Sequence, residues 1–173
     1  MPSKQKIRTF LWFDGNAEEA MNFYVSIFKD LKILEIHRKG PGGAVVGGTF
    51  QLEGQQFMAL NGGPLFKFTE AISLFVSCET QEEVDDLWNK LTAGGGAPSQ
   101  CGWLKDKFGL SWQIIPTALM EMLADKDPEK SKRAMEAMLG MTKIDINRLR
   151  EAHRGSTLAG STLAGSNARS ASR

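Results

Sequence analysis

Residues 7–28 read IRTFLWFDGNAEEAMNFYVSIF, and residues 71–93 read AISLFVSCETQEEVDDLWNKLTA. Each stretch is a run rich in β-branched and aromatic residues, then a polar break, then an amphipathic helix. A supersecondary unit written twice has to pair with its twin to bury its apolar face. The groove between the two units is therefore the first place to seek function. In the first copy Asp14-Gly15-Asn16 signals a turn, and Ala17, Ala20, Met21, Tyr24, Ile27 and Phe28 share one helical face. In the second, Thr80-Gln81-Glu82-Glu83 has capping-box spacing, Val84, Leu87, Trp88 and Leu91 form the stripe, and Gly94-Gly95-Gly96 stops the helix.

Each copy is followed by short β-like segments separated by glycines. Leu31–Arg38, Ala44–Leu52 and Gln56–Leu60 read as strands, with a loop tip at Gly40-Pro41-Gly42-Gly43 and a hairpin turn at Glu53-Gly54-Gln55. In the second copy strands are expected near Ser99–Leu104 and Leu110–Ile115, joined by Asp106-Lys107-Phe108-Gly109. Pro116 ends the sheet region. Helices are expected over Thr117–Leu123, from Asp127 as N-cap with Pro128 at the first helical position to about Leu139, and near Asp145–Ala152. The methionines of this region read as irregular packing of helices on a sheet rather than as an adaptable binding surface. The expected fold is α+β: two βαβββ modules, 5–67 and 68–116, with a helical C-terminal extension over 117–153. Residues 154–173, with STLAG written twice, lack the apolar surface to offset ordering and read as a flexible tail, native or left from cloning.

Composition narrows the function classes. An apolar fraction of 42% and a charged fraction of 24% are those of an ordinary globular protein. A formal net charge of +1 without a basic run gives no pull toward nucleic acid. No run approaches the roughly 18 apolar residues that span a bilayer, and the N-terminus enters a strand without the apolar stretch of a secretion signal. Cys78 and Cys101 are too few for a disulfide framework or a zinc site and read as reduced thiols of a cytoplasmic protein, a single bridge being the minor alternative.

The stretches TFLWFDGNAEEAMNFYVSIF, ISLFVSCETQEEVDDLWNKL and WLKDKFGLSWQIIP, followed by DKDPEKSKRAMEAMLGMTKIDI, resemble the vicinal oxygen chelate superfamily. Within it they resemble the PhnB-like branch of the glyoxalase and bleomycin-resistance group. The resemblance runs from about Lys6 to Ala152. It implies two βαβββ modules forming a cupped sheet around a pocket, usually in a homodimer. Metal enzymes of the superfamily place His or Glu early in each module's first strand and Glu or Gln in each last strand. Aligned on Phe23-Tyr24, those positions fall on Thr9, Ser73 and Gln113, with Met58, Ala59 or Asn61 for the remaining one. Neutral oxygens of this kind make a poor transition-metal site, so no metal and no cofactor is expected. His37 and His153 read as lone surface histidines.

The candidate ligand-binding residues are Gln113, Trp103, Thr9, Ser73, Asn61, Trp12 and Phe57. Gln113 offers an amide donor and acceptor in the last strand; its competing reading is a glutamine bonding the adjacent module. Thr9 and Ser73 read more readily as structural hydroxyls, and Trp12, Trp103, Phe57 and Phe66 as core aromatics. Asn61 tips toward the groove mouth from a turn. No nucleophile, general base or catalytic residue is identified, because Glu79 beside Cys78 disfavours its thiolate. The glycine clusters lack the strand-to-helix context of a nucleotide loop, which weakens the label 3-demethylubiquinone methyltransferase that this branch sometimes carries. Two functions remain: metal-independent binding of a small organic molecule in the intermodule cup, which is favoured, and an enzyme (lyase, isomerase or methyltransferase) with an unidentified substrate.

Overall fold

The computed structural model describes residues 5–155. The N-terminal residues 1–4 and the STLAG-repeat stretch, 156–173, lie outside the described residues. The first unit runs β1 (Thr9–Phe13), α1 (Ala17–Ile27), β2 (Leu31–Arg38), β3 (Val45–Leu52) and β4 (Gln55–Asn61). The second runs β5 (Ser73–Cys78), α2 (Gln81–Thr92), β6 (Ala97–Pro98), β7 (Trp103–Lys105) and β8 (Ser111–Pro116). Their sheets have the same order, β1-β4-β3-β2 and β5-β8-β7-β6, with β1 parallel to β4 and β5 parallel to β8. Ile7–Phe13 and Ile72–Ser77 thus feed equivalent strands, as the repeat requires. The helices α3 (Thr117–Leu123), α4 (Pro128–Leu139) and α5 (Ile146–Arg154) follow.

Local chemistry sets the helix starts. Thr80 Oγ1 accepts from Glu83 N at 3.2 Å, and Glu83 Oε2 accepts from Glu79 N at 2.8 Å, so the capping box closes one residue further out than the usual form. Asn16 makes no side-chain cap; instead Asn61 Oδ1, on β4, accepts from Ala17 N at 2.8 Å while its Nδ2 donates to Val45 O at 3.0 Å. The β3–β4 turn is the two-residue Glu53-Gly54, with φ of 45° and 78°, the twist that a tight hairpin needs.

One expected strand is interrupted. Ser99–Gly102 is a turn, with Cys101 at φ 57° and Gly102 at φ 82°. Its backbone has other partners: Cys101 N donates to Met141 O and Gly102 N to Thr142 O, each at 2.8 Å. A long-range contact with the connection between α4 and α5 overrides the local β preference.

Both units share one apolar cluster, and α1 joins them. Met21 and Tyr24 lie against β3 at Gly48 and Phe50, while Phe28 stacks on Trp112 of β8 at 5.3 Å and Tyr24 meets the same indole at 5.6 Å. Trp112, Ile114 and Leu104 alternate onto the face that α2 covers with Val84, Leu87 and Leu91. A second cluster, Ile115, Leu119, Met122, Ala134, Met141, Ile144 and Leu149, seats α3–α5. The methionines divide, with Met122 and Met141 buried in that core and Met120 and Met135 exposed. Gln81 fastens this extension to α2: its Nε2 donates to Ile144 O at 3.1 Å and its Oε1 accepts from Ile146 N at 2.8 Å.

Candidate functional site

A groove of about 700 Å³ runs between the units. One wall is β5 seen edge-on, residues Ile72 to Ser77; the others are Thr9 and Phe57 of the first sheet, Phe28 and Lys29 after α1, the Glu53 turn, Leu87 of α2 and Trp112. The carboxylates at its rim are engaged structurally. Glu53 Oε1 accepts from Lys29 N, Glu83 closes the capping box, and Asp86 pairs with Lys90 at 2.7 Å. None stands beside a second group poised for proton transfer.

The opposite face of the second sheet carries a different set. The register aligns Phe75, Gln113 and Trp103 in one cross-strand row, turned away from Trp112 and α2. Gln113 Nε2 donates to Ser73 Oγ at 2.8 Å, so the glutamine bonds its own unit. Phe75 is 50% exposed, and Gln113 and Trp103 are half-buried, leaving the row accessible. Ser73 and Phe75 also line the groove, so groove and row meet around the edge of β5.

The predicted residues therefore separate. Thr9, Ser73 and Phe57 lie in the groove, and Gln113 and Trp103 on the adjoining face. Trp12 is on the helix-free side of the first sheet, donating from Nε1 to Gly63 O at 2.8 Å with Phe66 edge-on at 5.0 Å. Asn61 is the helix anchor described above and does not line the groove. His153 is not a lone histidine: its Nε2 lies 2.8 Å from Asp125 Oδ2, half-buried at the end of α5. Among the described residues no group of three or more His, Cys, Asp or Glu is placed to hold a metal ion. Burial, then the charges of Glu83 and Glu79, push the Cys78 thiol up to about 12, which keeps it protonated and unreactive.

Sequence reading missed Asp106, taken only as a turn residue. Its carboxylate is 2% exposed and holds four donors: Phe108 N and Leu110 N on Oδ1 at 2.9 and 3.1 Å, Tyr24 OH and Trp112 Nε1 on Oδ2, both at 2.8 Å. The turn bonds are the ordinary Asx pattern; the other two tie α1 to the second sheet. An aspartate opening a turn, with a tryptophan six residues on, was the available signal. Burial, then the Asp106 charge, push the Tyr24 hydroxyl well above its ordinary value, so it remains a donor.

Among the described residues no helix is long and apolar enough to cross a membrane. Comparison with known proteins agrees with the geometry. A family described as 3-demethylubiquinone-9 3-methyltransferase matches residues 5–115, well over half of the chain, and the match ends just before α3. A solved structure from Bacillus cereus, described as a putative 3-demethylubiquinone-9 3-methyltransferase, PhnB protein, is 43% identical. It covers 65% of this chain and 100% of its own, with a TM-score of 0.61. A Pseudomonas aeruginosa protein of 20% identity covers 63% of this chain and 95% of its own at a TM-score of 0.51, a likeness of fold. No curated protein matches. With two equivalent βαβββ units and a family match over most of both, the chain belongs to the 3-demethylubiquinone-9 3-methyltransferase family of PhnB-like proteins.

Proposed function

We propose that this protein binds a small organic molecule without a metal, as a cytoplasmic homodimer whose cup is centred on Gln113. The row Phe75, Gln113, Trp103 carries the reading. A primary amide between two aromatic side chains, on a face that α2 leaves uncovered, suits a planar apolar ligand with one polar group. Gln113 spends one N–H on Ser73 and keeps its carbonyl oxygen for a ligand donor. The adjoining groove supplies Thr9 and Ser73 as neutral oxygens, a donor set that favours organic ligands over transition metals. Two thiols without a disulfide pattern support the cytoplasmic setting.

A second copy is supported by the strand edges. The outer edges are protected: β2 carries Lys32, Glu35, His37 and Arg38 with two register shifts, and β6 is two residues long with Pro98. The inner edge strands, TFLWF and SLFVSC, carry no charge and no proline, and each pairs on one side only. Phe10, 53% exposed, and Phe75 sit on them. Pairing β1 of one copy with β5 of another satisfies both edges and brings Phe10 and Trp12 of one alongside β5 of the other, one strand away from its Gln113. Light scattering at micromolar concentration should give a dimer, and Phe10→Glu with Phe75→Glu a monomer. A monomeric wild type would rule the dimer out.

Binding is placed ahead of turnover because neither the groove nor the Gln113 row holds an acid–base pair. The test is a thermal-shift screen of metabolites and metals. A true ligand at 100 times its dissociation constant stabilises by about 2.7 kcal/mol, a rise of about 5–10 °C for a chain of this size. The shift should vanish in Gln113→Ala with no product formed. Turnover of the hit compound would replace the binder reading with the enzyme one.

A further inference from the structure

Along β8 the Gln113 face continues to Ile115, two residues or about 7 Å further on. Gln113 is accessible, yet Ile115 is only 4% exposed. The cover comes from the C-terminal extension. Met141 O and Thr142 O accept the amides of Cys101 and Gly102, just ahead of Trp103. A Cβ placed on Gly102 would lie 2.7 Å from Ile115 Cδ1 and 3.1 Å from Ile144 Cγ1, so these two side chains meet directly over that glycine. On the other side of the row Ser111 is 1% exposed, while Ser77 of β5, level with Ile115, is exposed, so the cover at the Ile115 end lies over β8 and β7.

We infer that the connection between α4 and α5, residues 140–145, is the end wall of the Gln113 site and sets the width of planar ligand it takes. The inference rests on the binding reading above. It gives a specificity role to a segment beyond residue 115, where the family match ends. The wall is rigid in the direction that matters. Ile144 is fully buried, its carbonyl is held by Gln81, and Met141 and Thr142 are pinned by backbone bonds of 2.8 Å. A ligand lying across Phe75, Gln113 and Trp103 has its end stop at Ile115 and at the Cys101-Gly102 turn, which Ile144 covers and Met141 and Thr142 hold.

The test uses the full-length protein and two probes, 2-naphthol and 1-hydroxypyrene, followed by quenching of tryptophan fluorescence. Wild type should prefer 2-naphthol at least tenfold. Met141→Ala, which lowers the wall, should gain at least fivefold for 1-hydroxypyrene and change 2-naphthol by less than twofold. Thr142 is exposed, so Thr142→Trp should fold normally, and it should weaken 2-naphthol at least fivefold. Gln113→Ala separates the two ideas. Gln113-dependent binding with the same probe preference in both wall variants overturns the wall alone. Binding of neither probe, or binding indifferent to Gln113, overturns the binding reading and the wall with it.

Discussion

Replacing Asp106 with alanine should lower the unfolding free energy by about 4 kcal/mol, because four donors, three of them buried, lose their acceptor at once, at about 1–3 kcal/mol for each group left unpaired after partial relaxation. In a chain of this size that is a fall of about 8–16 °C in melting temperature. Two of the donors, Tyr24 OH and Trp112 Nε1, belong to the contact between α1 and the second sheet, so the loss loosens the joint between the units. Tyr24→Phe removes one donor and leaves three, and should cost about 1 kcal/mol. Asp106→Asn keeps one acceptor oxygen but turns an NH₂ toward two donors, and should fall between them. Alanine and phenylalanine variants of equal stability would show that the cage contributes nothing beyond its shape.

The same carboxylate has a pH signature. Burial raises its affinity for a proton above the ordinary aspartate value, and the bonds from Trp112, Tyr24, Phe108 and Leu110 pull the other way without cancelling it. A native carboxyl that keeps its proton to higher pH than the unfolded chain contributes stability below the unfolded value of about 3.9 and loses it as pH rises through the native value. The unfolding free energy of wild type minus that of Asp106→Asn should therefore fall as pH is raised from about 3 toward 7. A difference that rises instead would mean that the four donors outweigh burial.

How much of this was legible follows from which interactions are local. The helix stripes, the Thr80 cap and the Glu53-Gly54 turn are written within a few residues of one another, so periodicity and spacing reveal them. The Asp106 cage joins residues 82 apart, and the Asn61 cap of α1 joins residues 44 apart; no local pattern marks either. Gln113 could be singled out as the polar residue of an apolar strand, but its bond to Ser73, across 40 residues, depends on the β5–β8 register. The break in the expected Ser99–Leu104 strand has the same origin, since the carbonyls that hold it lie on the C-terminal extension.

Gly102→Ala tests that last contact, and its expected cost of about 3 kcal/mol has two separable parts. At φ 82° any residue with a Cβ is strained, by about 1–2 kcal/mol. The new Cβ also meets Ile115 Cδ1 at 2.7 Å, Ile114 O at 3.0 Å and Ile144 Cγ1 at 3.1 Å. The backbone oxygen cannot turn away, and overpacking of this kind costs about 1–3 kcal/mol. Gly15 is the control, because it has nearly the same φ, 83°, and nothing within 4 Å of the place its Cβ would take. Gly15→Ala should therefore cost the strain alone, at least about 1 kcal/mol less than Gly102→Ala. The locus should differ too. The clash pushes Ile144 and the 140–145 connection off β8, so amides of α5 should lose hydrogen-exchange protection in Gly102→Ala and keep it in Gly15→Ala. Equal costs in the two variants, with α5 protected in both, would show that the extension yields to the methyl and does not pack tightly enough to wall the Gln113 face.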